Sequence, residues 1–126
     1  MNLTLDGNVY ATSRKLDVFT QLHVARKLGS SIPVLEDMFN KKENERAIFS
    51  ILMFAKLEDS EVDYVLKKCL SVVSRQQATG FVPVQNLQGG LMFDDMTLDS
   101  LLRLTLMVIE ENLGTFFTTA LSALDL

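Results

Sequence analysis

Apolar residues recur every three or four positions over most of this chain, a spacing typical of amphipathic helices. The first predicted helix begins after Asp17 and ends at Gly29, a residue suited to the position after a helix. Its broad apolar face consists of Val18, Phe19, Leu22, Ala25 and Leu28. Further helices are predicted over residues 41–56, 60–73, 98–113 and 115–124, and a short helical segment over 34–39.

Local signals set the expected ends of these helices. Ser60 and Asp63 resemble a capping box, in which side chains satisfy the amide groups left unpaired at a helix start. Thr97 is suited to cap the helix that follows it. Gly114 is expected to end that helix and to separate it from the last one.

Two segments break the helical spacing. Residues 3–12 contain two β-prone runs around Asp6-Gly7, a dipeptide that readily adopts the positive φ angles of a tight hairpin turn. A second hairpin or an extended loop is predicted near residues 80–94, where glycine and proline separate the β-like runs 81–84 and 91–93. The predicted fold class is therefore mainly α (α+β), with about five helices and an N-terminal β-hairpin.

Length and composition favour one folded domain over residues 1–126. A chain of 126 residues lies within the usual size of a single domain, and its 48% hydrophobic and 22% charged residues are typical of globular proteins. Neither an internal repeat nor a Pro, Gly or Ser-rich linker divides the sequence.

The charge pattern excludes several classes of partner. The net charge is −4, and no run of Lys and Arg is longer than two, so we expect no nucleic-acid partner. The longest apolar stretch, residues 98–109, is interrupted by Asp99 and Arg103 and is shorter than the roughly 20 residues that span a bilayer. The N-terminus lacks a secretory signal pattern, and the lone Cys69 fits a reducing compartment. A cytoplasmic location is expected.

The sequence predicts no metal site and no nucleophilic pair. One histidine and one cysteine cannot build a four-ligand zinc site of Cys and His. Cys69 lies on the apolar stripe of its helix, where a thiol is protonated and inert. His23 is more typical of a surface or partly buried imidazole in a local hydrogen bond than of a ligand.

Carboxylates and glycines give no stronger signal of catalysis. Asp94-Asp95 and Glu110-Glu111 are neighbours in sequence, and neighbours on a helix point in different directions. Gly89-Gly90 lacks the lysine and the spacing of a phosphate-binding loop. We therefore predict no cofactor, no metal and no enzymatic activity. The alternative to this prediction is an enzyme whose active site is assembled from scattered polar residues.

The C-terminal helices carry more apolar surface than one face requires. Apolar residues between positions 98 and 109 cover more than one side, and a helix that is apolar all round must be buried all round. Either another chain covers part of this surface, or the rest of the chain wraps it completely. The first alternative predicts a self-association or client-binding surface formed by Leu101, Met107, Phe116 and Phe117.

Four short groups of residues, spread over positions 9–118, occur in the same order as in a known protein family. They are Arg14-Lys15-Leu16 with Phe19, Gln21 and His23 to Leu28; Cys69 to Gln76; Met92 to Asp95; and Glu111 to Phe117. Together they resemble a family of bacteriophage tail assembly chaperones. The resemblance implies a small, mostly helical protein of the short form, made in the host cytoplasm and absent from the mature virion.

The same resemblance implies the partners. A member of that family would bind the tape measure protein, keep it soluble, and recruit tail tube subunits around it. Homo-oligomerisation is a further expectation. An alternative that does not rely on the resemblance is an adaptor or regulatory protein-binding subunit of a bacterial complex.

Overall fold

The computed structural model describes residues 1–31 and 42–124, in which a four-stranded antiparallel sheet packs with four α-helices. The strands are β1 (Asn2–Leu5), β2 (Asn8–Thr12), β3 (Val73–Gln77) and β4 (Gly80–Pro83). The helices are α1 (Val18–Lys27), α2 (Glu43–Phe54), α3 (Asp59–Leu70) and α4 (Leu98–Leu124). This confirms an α+β class, whereas the helix predicted over 34–39 lies outside the described residues.

The N-terminal hairpin forms as predicted. Asp6 and Gly7 have φ angles of 52° and 80°, and Leu5 pairs with Asn8 across the turn. Such angles match the right-handed twist of the flanking strands, and glycine adopts them without steric cost.

The second hairpin lies earlier in the chain than the sequence pattern predicted. The helix expected to reach Val73 ends at Leu70, and residues 73–77 form β3, which pairs with β2 on one side and β4 on the other. Residues 91–93, predicted as a strand, contribute only an isolated bridge between Gln85 and Leu91. Pairing with β2, which is distant in sequence, decides the conformation of the polar residues that follow Val73.

Arg75 fixes the connection between the sheet and α4. Its side chain forms a two-pronged ion pair with Asp95, at 2.7 Å and 3.0 Å, and its guanidinium lies 4.4 Å from the centre of the Phe93 ring. The arginine is on β3 and Asp95 lies just before α4, so this contact ties the segment that leads into the last helix to the sheet. Charge-assisted bidentate bonds are the stronger class of hydrogen bond and are also geometrically specific.

Helix starts follow local side-chain chemistry. Thr97 and Ser100 bond reciprocally, because the Ser100 amide donates to the Thr97 hydroxyl at 3.1 Å and the Thr97 amide donates to the Ser100 hydroxyl at 2.9 Å. The cap predicted at Thr97 is therefore confirmed. In α3 the capping box is formed by Glu58 and Glu61 instead of the predicted Ser60 and Asp63. The helix therefore begins at Asp59, two residues nearer the N-terminus than a cap at Ser60 predicts.

The two helices predicted after Thr97 are one continuous helix, α4, and Gly114 lies inside it. Glycine costs about 1 kcal/mol in a helix interior relative to alanine. Burial of Leu113 and Phe117, on either side of the glycine, offsets this cost. None of the described helices has the length and hydrophobicity needed to cross a membrane.

The core surrounds the middle of α4. Residues 104–109 are all buried, and α2 and α3 both pack against this helix. Its apolar surplus between residues 102 and 109 is thus covered within the chain, as the wrapping alternative requires. The other buried apolar side chains come from the sheet and the remaining helices, and include Tyr10, Val24, Met53, Val65, Val73 and Val84.

Replacing Asp95 with asparagine tests the link between sheet and helix. Hydrogen bonds from Arg75 hold the pKa of Asp95 below its ordinary value of 3.8. A lowered pKa in the folded state means that the ion pair stabilises the protein above pH 3.8 and loses this effect as the pH falls through the folded value. We expect Asp95→Asn to lower the Tm at neutral pH and the difference from wild type to vanish in strong acid.

Asp94→Asn is the matched control, because Asp94 makes no ion pair with any described residue. Thermal melts followed by circular dichroism across the acid range measure both variants. Equal loss of Tm in the two variants at neutral pH would contradict the role given to the Arg75–Asp95 pair.

Candidate protein-binding surface

Helix α1 has a buried face and an exposed face, and the exposed one is strongly apolar. The side chains of Val24, in the helix, and Leu28, directly after it, form the buried face and are fully buried. By contrast, Val18 is 74% exposed, Phe19 75% and Leu22 58%. Single exposed apolar residues are common, but three within five positions form a contiguous patch.

This patch continues across a shallow groove onto α4. The apolar groove, with a volume of about 230 Å³, is lined by Val18, Gln21, Leu22, Ala25, Asn112, Leu113 and Phe116. Phe116 is 58% exposed and forms the α4 wall, while the next residue, Phe117, points into the core. The two rings meet edge to face with their centres 5.7 Å apart, so the buried ring supports the exposed one.

Polar contacts hold the two walls of the apolar groove at a fixed distance. The Leu16 amide, just before α1, donates to the Asn112 side chain on α4 at 3.0 Å. The other end of that side chain donates to the Val108 carbonyl at 2.8 Å. Gln21 in turn donates to the Leu16 carbonyl at 2.8 Å. These bonds satisfy the polar groups of Leu16, Gln21 and Asn112, so the surface that the groove offers a partner is mainly apolar.

Asp17 sets the start of α1 and therefore the position of the groove. Its carboxylate accepts from the Thr20 amide at 2.9 Å and from the Thr20 hydroxyl at 2.7 Å. These two bonds hold the pKa of Asp17 below its ordinary value. An aspartate at this position satisfies amides that have no partner inside the helix.

The structure distributes the four residues of the predicted binding surface over different environments. Phe116 is exposed on the apolar groove, and Leu101 is half-buried on another part of α4. Met107 and Phe117 are buried in the core, where a partner cannot reach them while the fold is intact. The four side chains thus do not form one patch, and only Phe116 belongs to the groove.

The sequence pattern placed three residues of this surface on the same face of α1 as its core residues, and that assignment was wrong. Val18, Phe19 and Leu22 were placed with Leu28 on one apolar face, but the buried positions are Thr20, Val24 and Leu28. These three are four residues apart, and this second stripe is the signal in the sequence that separates inner from outer positions. The stripe is hard to recognise because Thr20 is polar, and a polar residue is not expected at a buried position. Its hydrogen bonds to Asp17 allow it to be buried.

The cysteine, the histidine and the paired glutamates considered in the sequence do not line the apolar groove. Burial raises the pKa of the Cys69 thiol to about 12, the direction expected for a thiol on the apolar stripe of its helix. His23 lies on the exposed side of α1, edge to face with Tyr64. Glu110 pairs with Arg46 at 2.7 Å, and Glu111 accepts from Thr12 at 2.9 Å. In residues 1–31 and 42–124 no three His, Cys, Asp or Glu side chains cluster as a metal would require.

Comparison with known proteins gives one result. A family model described as phage tail assembly chaperone protein matches residues 6–124, nearly the whole chain. Neither the curated proteins nor the solved structures contain a match.

Alanine at the adjacent residues Phe116 and Phe117 separates surface from core. Phe117→Ala should lower the free energy of unfolding by about 3–5 kcal/mol, because it leaves a cavity at a side chain that is 1% exposed. Phe116→Ala should lower it by about 1 kcal/mol or less, because the ring is 58% exposed and loses mainly its edge-to-face contact with Phe117. Urea denaturation of both variants measures the difference, and similar losses would contradict the assignment of Phe116 to the surface.

Proposed function

Since the chain belongs to the family of phage tail assembly chaperones, we propose that it binds the tape measure protein, keeps this client soluble, and recruits tail tube subunits to it. It would do so in the host cytoplasm and would be absent from the mature virion. The adaptor alternative required the resemblance to the family to be fortuitous, and the match over residues 6–124 contradicts that premise. The function of the family is non-catalytic, and we propose no reaction for this chain.

The exposed apolar groove between α1 and α4 is the observation that supports client binding. Val18, Leu22 and Phe116 project from two helices, whose walls are joined by the Leu16–Asn112 bond. An amphipathic helix can lay apolar residues spaced three and four apart into such a groove. A hydrophobic client held in this way has fewer apolar side chains free to aggregate.

The size of the groove suits reversible binding. Fully burying one leucine or phenylalanine stabilises by about 1.5–3 kcal/mol, and these side chains already bury part of their surface. Each groove therefore contributes a modest affinity, and several copies along a long client would be needed to cover it. A modest affinity per copy also allows tube subunits to displace the chaperone.

Charged substitutions in the groove should abolish client rescue without unfolding the chaperone. We expect Leu22→Glu with Phe116→Glu to leave the circular dichroism spectrum unchanged, since both side chains are more than half exposed. The tape measure protein co-expressed with this variant should become insoluble and should not co-purify with it. The soluble fraction of the client and a pull-down measure both effects.

Leu98→Glu is the matched control. Leu98 is 67% exposed on the same helix and lies about 27 Å from Phe116 along the helix axis. It should retain client binding. Analytical sedimentation of the wild type, the double variant and Leu98→Glu, each without client, measures their oligomeric states. A lower oligomeric state in the double variant alone would mean that the groove mediates self-association. Full rescue by the double variant would refute the groove as the client site.

A further inference from the structure

A second surface, on the opposite side of α1 from the apolar groove, is basic and centred on Tyr64. The ammonium groups of Lys27 and Lys68 lie 4.9 Å and 5.7 Å from the centre of the Tyr64 ring. His23 meets the same ring edge to face at 6.4 Å. The ring therefore gathers two cations from α1 and α3 that would otherwise repel one another.

Beside this ring runs a concave surface of about 590 Å³ between α3 and the loop after β4. We define the basic groove by six of its lining residues, Arg14, Tyr64, Lys67, Lys68, Gln85 and Leu87. The Gln85 side chain donates to the Lys67 carbonyl at 2.9 Å and ties the loop to the end of α3. Cationic, amide and apolar groups thus line one depression.

The cations of the basic groove form no close ion pair with a carboxylate of the described residues. Arg46, Arg75 and Arg103 each form an ion pair, whereas Arg14, Lys67 and Lys68 form none. No acidic side chain is among the described residues that line the groove. Asp17 accepts hydrogen bonds from Thr20, and these bonds, with a smaller contribution from the charge of Lys68, lower its pKa. Asp63, one helical turn before Lys67, makes no ion pair with that lysine.

This cluster contrasts with the charge of the whole chain. The net charge is −4, and Arg14, Lys67 and Lys68 of the basic groove supply three positive charges, so the remainder of the chain carries −7. A confined positive region on an otherwise acidic protein attracts a short acidic ligand and repels a long polyanion that extends beyond it. The charge pattern therefore favours an acidic protein segment over a nucleic acid.

We propose that the basic groove binds a short acidic segment of a partner protein. Carboxylates of that segment pair with Arg14, Lys67 and Lys68, and an apolar residue between them contacts Tyr64 and Leu87. Binding of this segment does not use the apolar groove, since the two surfaces share none of the residues that line them. The chaperone could therefore hold a hydrophobic client and an acidic partner at the same time.

Fluorescence anisotropy with a labelled oligoglutamate peptide tests this proposal on the full chain. We expect binding that weakens with added salt, and no binding of an oligoglutamine peptide of the same length. Lys67→Glu with Lys68→Glu should weaken oligoglutamate binding by about tenfold or more. Lys67→Gln with Lys68→Gln removes the charges without reversing them and replaces the first variant if its circular dichroism melt shows unfolding.

Lys42→Glu with Lys56→Glu is the control, because both lysines are exposed outside the groove and the change in net charge is the same. This control should retain most of the binding. An equal loss in both double variants would reduce the effect to net charge and overturn the proposal. So would the absence of oligoglutamate binding, or equally tight binding of a single-stranded oligothymidylate through the same lysines.

Discussion

Burial of the middle of α4 is the constraint on which the rest of the structure depends. Leu104, Leu106, Val108 and Ile109 have no exposed surface, so neighbouring elements must cover this helix on all sides. At 27 residues α4 is about 40 Å long, which exceeds what a chain of this size can enclose. The enclosed turns make the core, and the turn beyond Gly114 presents Phe116 beside α1.

The sheet determines how the chain enters and leaves this core. Tyr10 pairs with Arg75 across β2 and β3, and Arg75 in turn grips Asp95 and lies over Phe93. One arginine thus connects the N-terminal hairpin, the central strand and the start of α4. Arg75, Asp95 and Phe93 line neither the apolar groove nor the basic groove, so both grooves can accept substitutions that this contact cannot.

Local signals in the sequence predicted the Asp6-Gly7 hairpin, the start of α1 and the Thr97 cap, because each depends on neighbouring residues only. The course of residues 71–95 could not be predicted in this way, since β3 is defined by pairing with a strand some sixty residues earlier. The continuity of α4 through Gly114 likewise depends on tertiary burial. For the candidate site, the pattern identified Phe116 as surplus apolar surface but not its partners on α1, whose exposure follows from how that helix packs.

Hydrogen–deuterium exchange of the full chain, alone and bound to the tape measure protein, tests the central claim most directly. If the client helix lies between α1 and the end of α4, amide protection should increase over residues 17–26 and 110–119 and stay unchanged in β1 and β2. Fixed walls predict this local effect, because the Leu16–Asn112 bond already holds the groove in shape. Protection confined to α2 or the sheet, with none at the groove, would contradict the account.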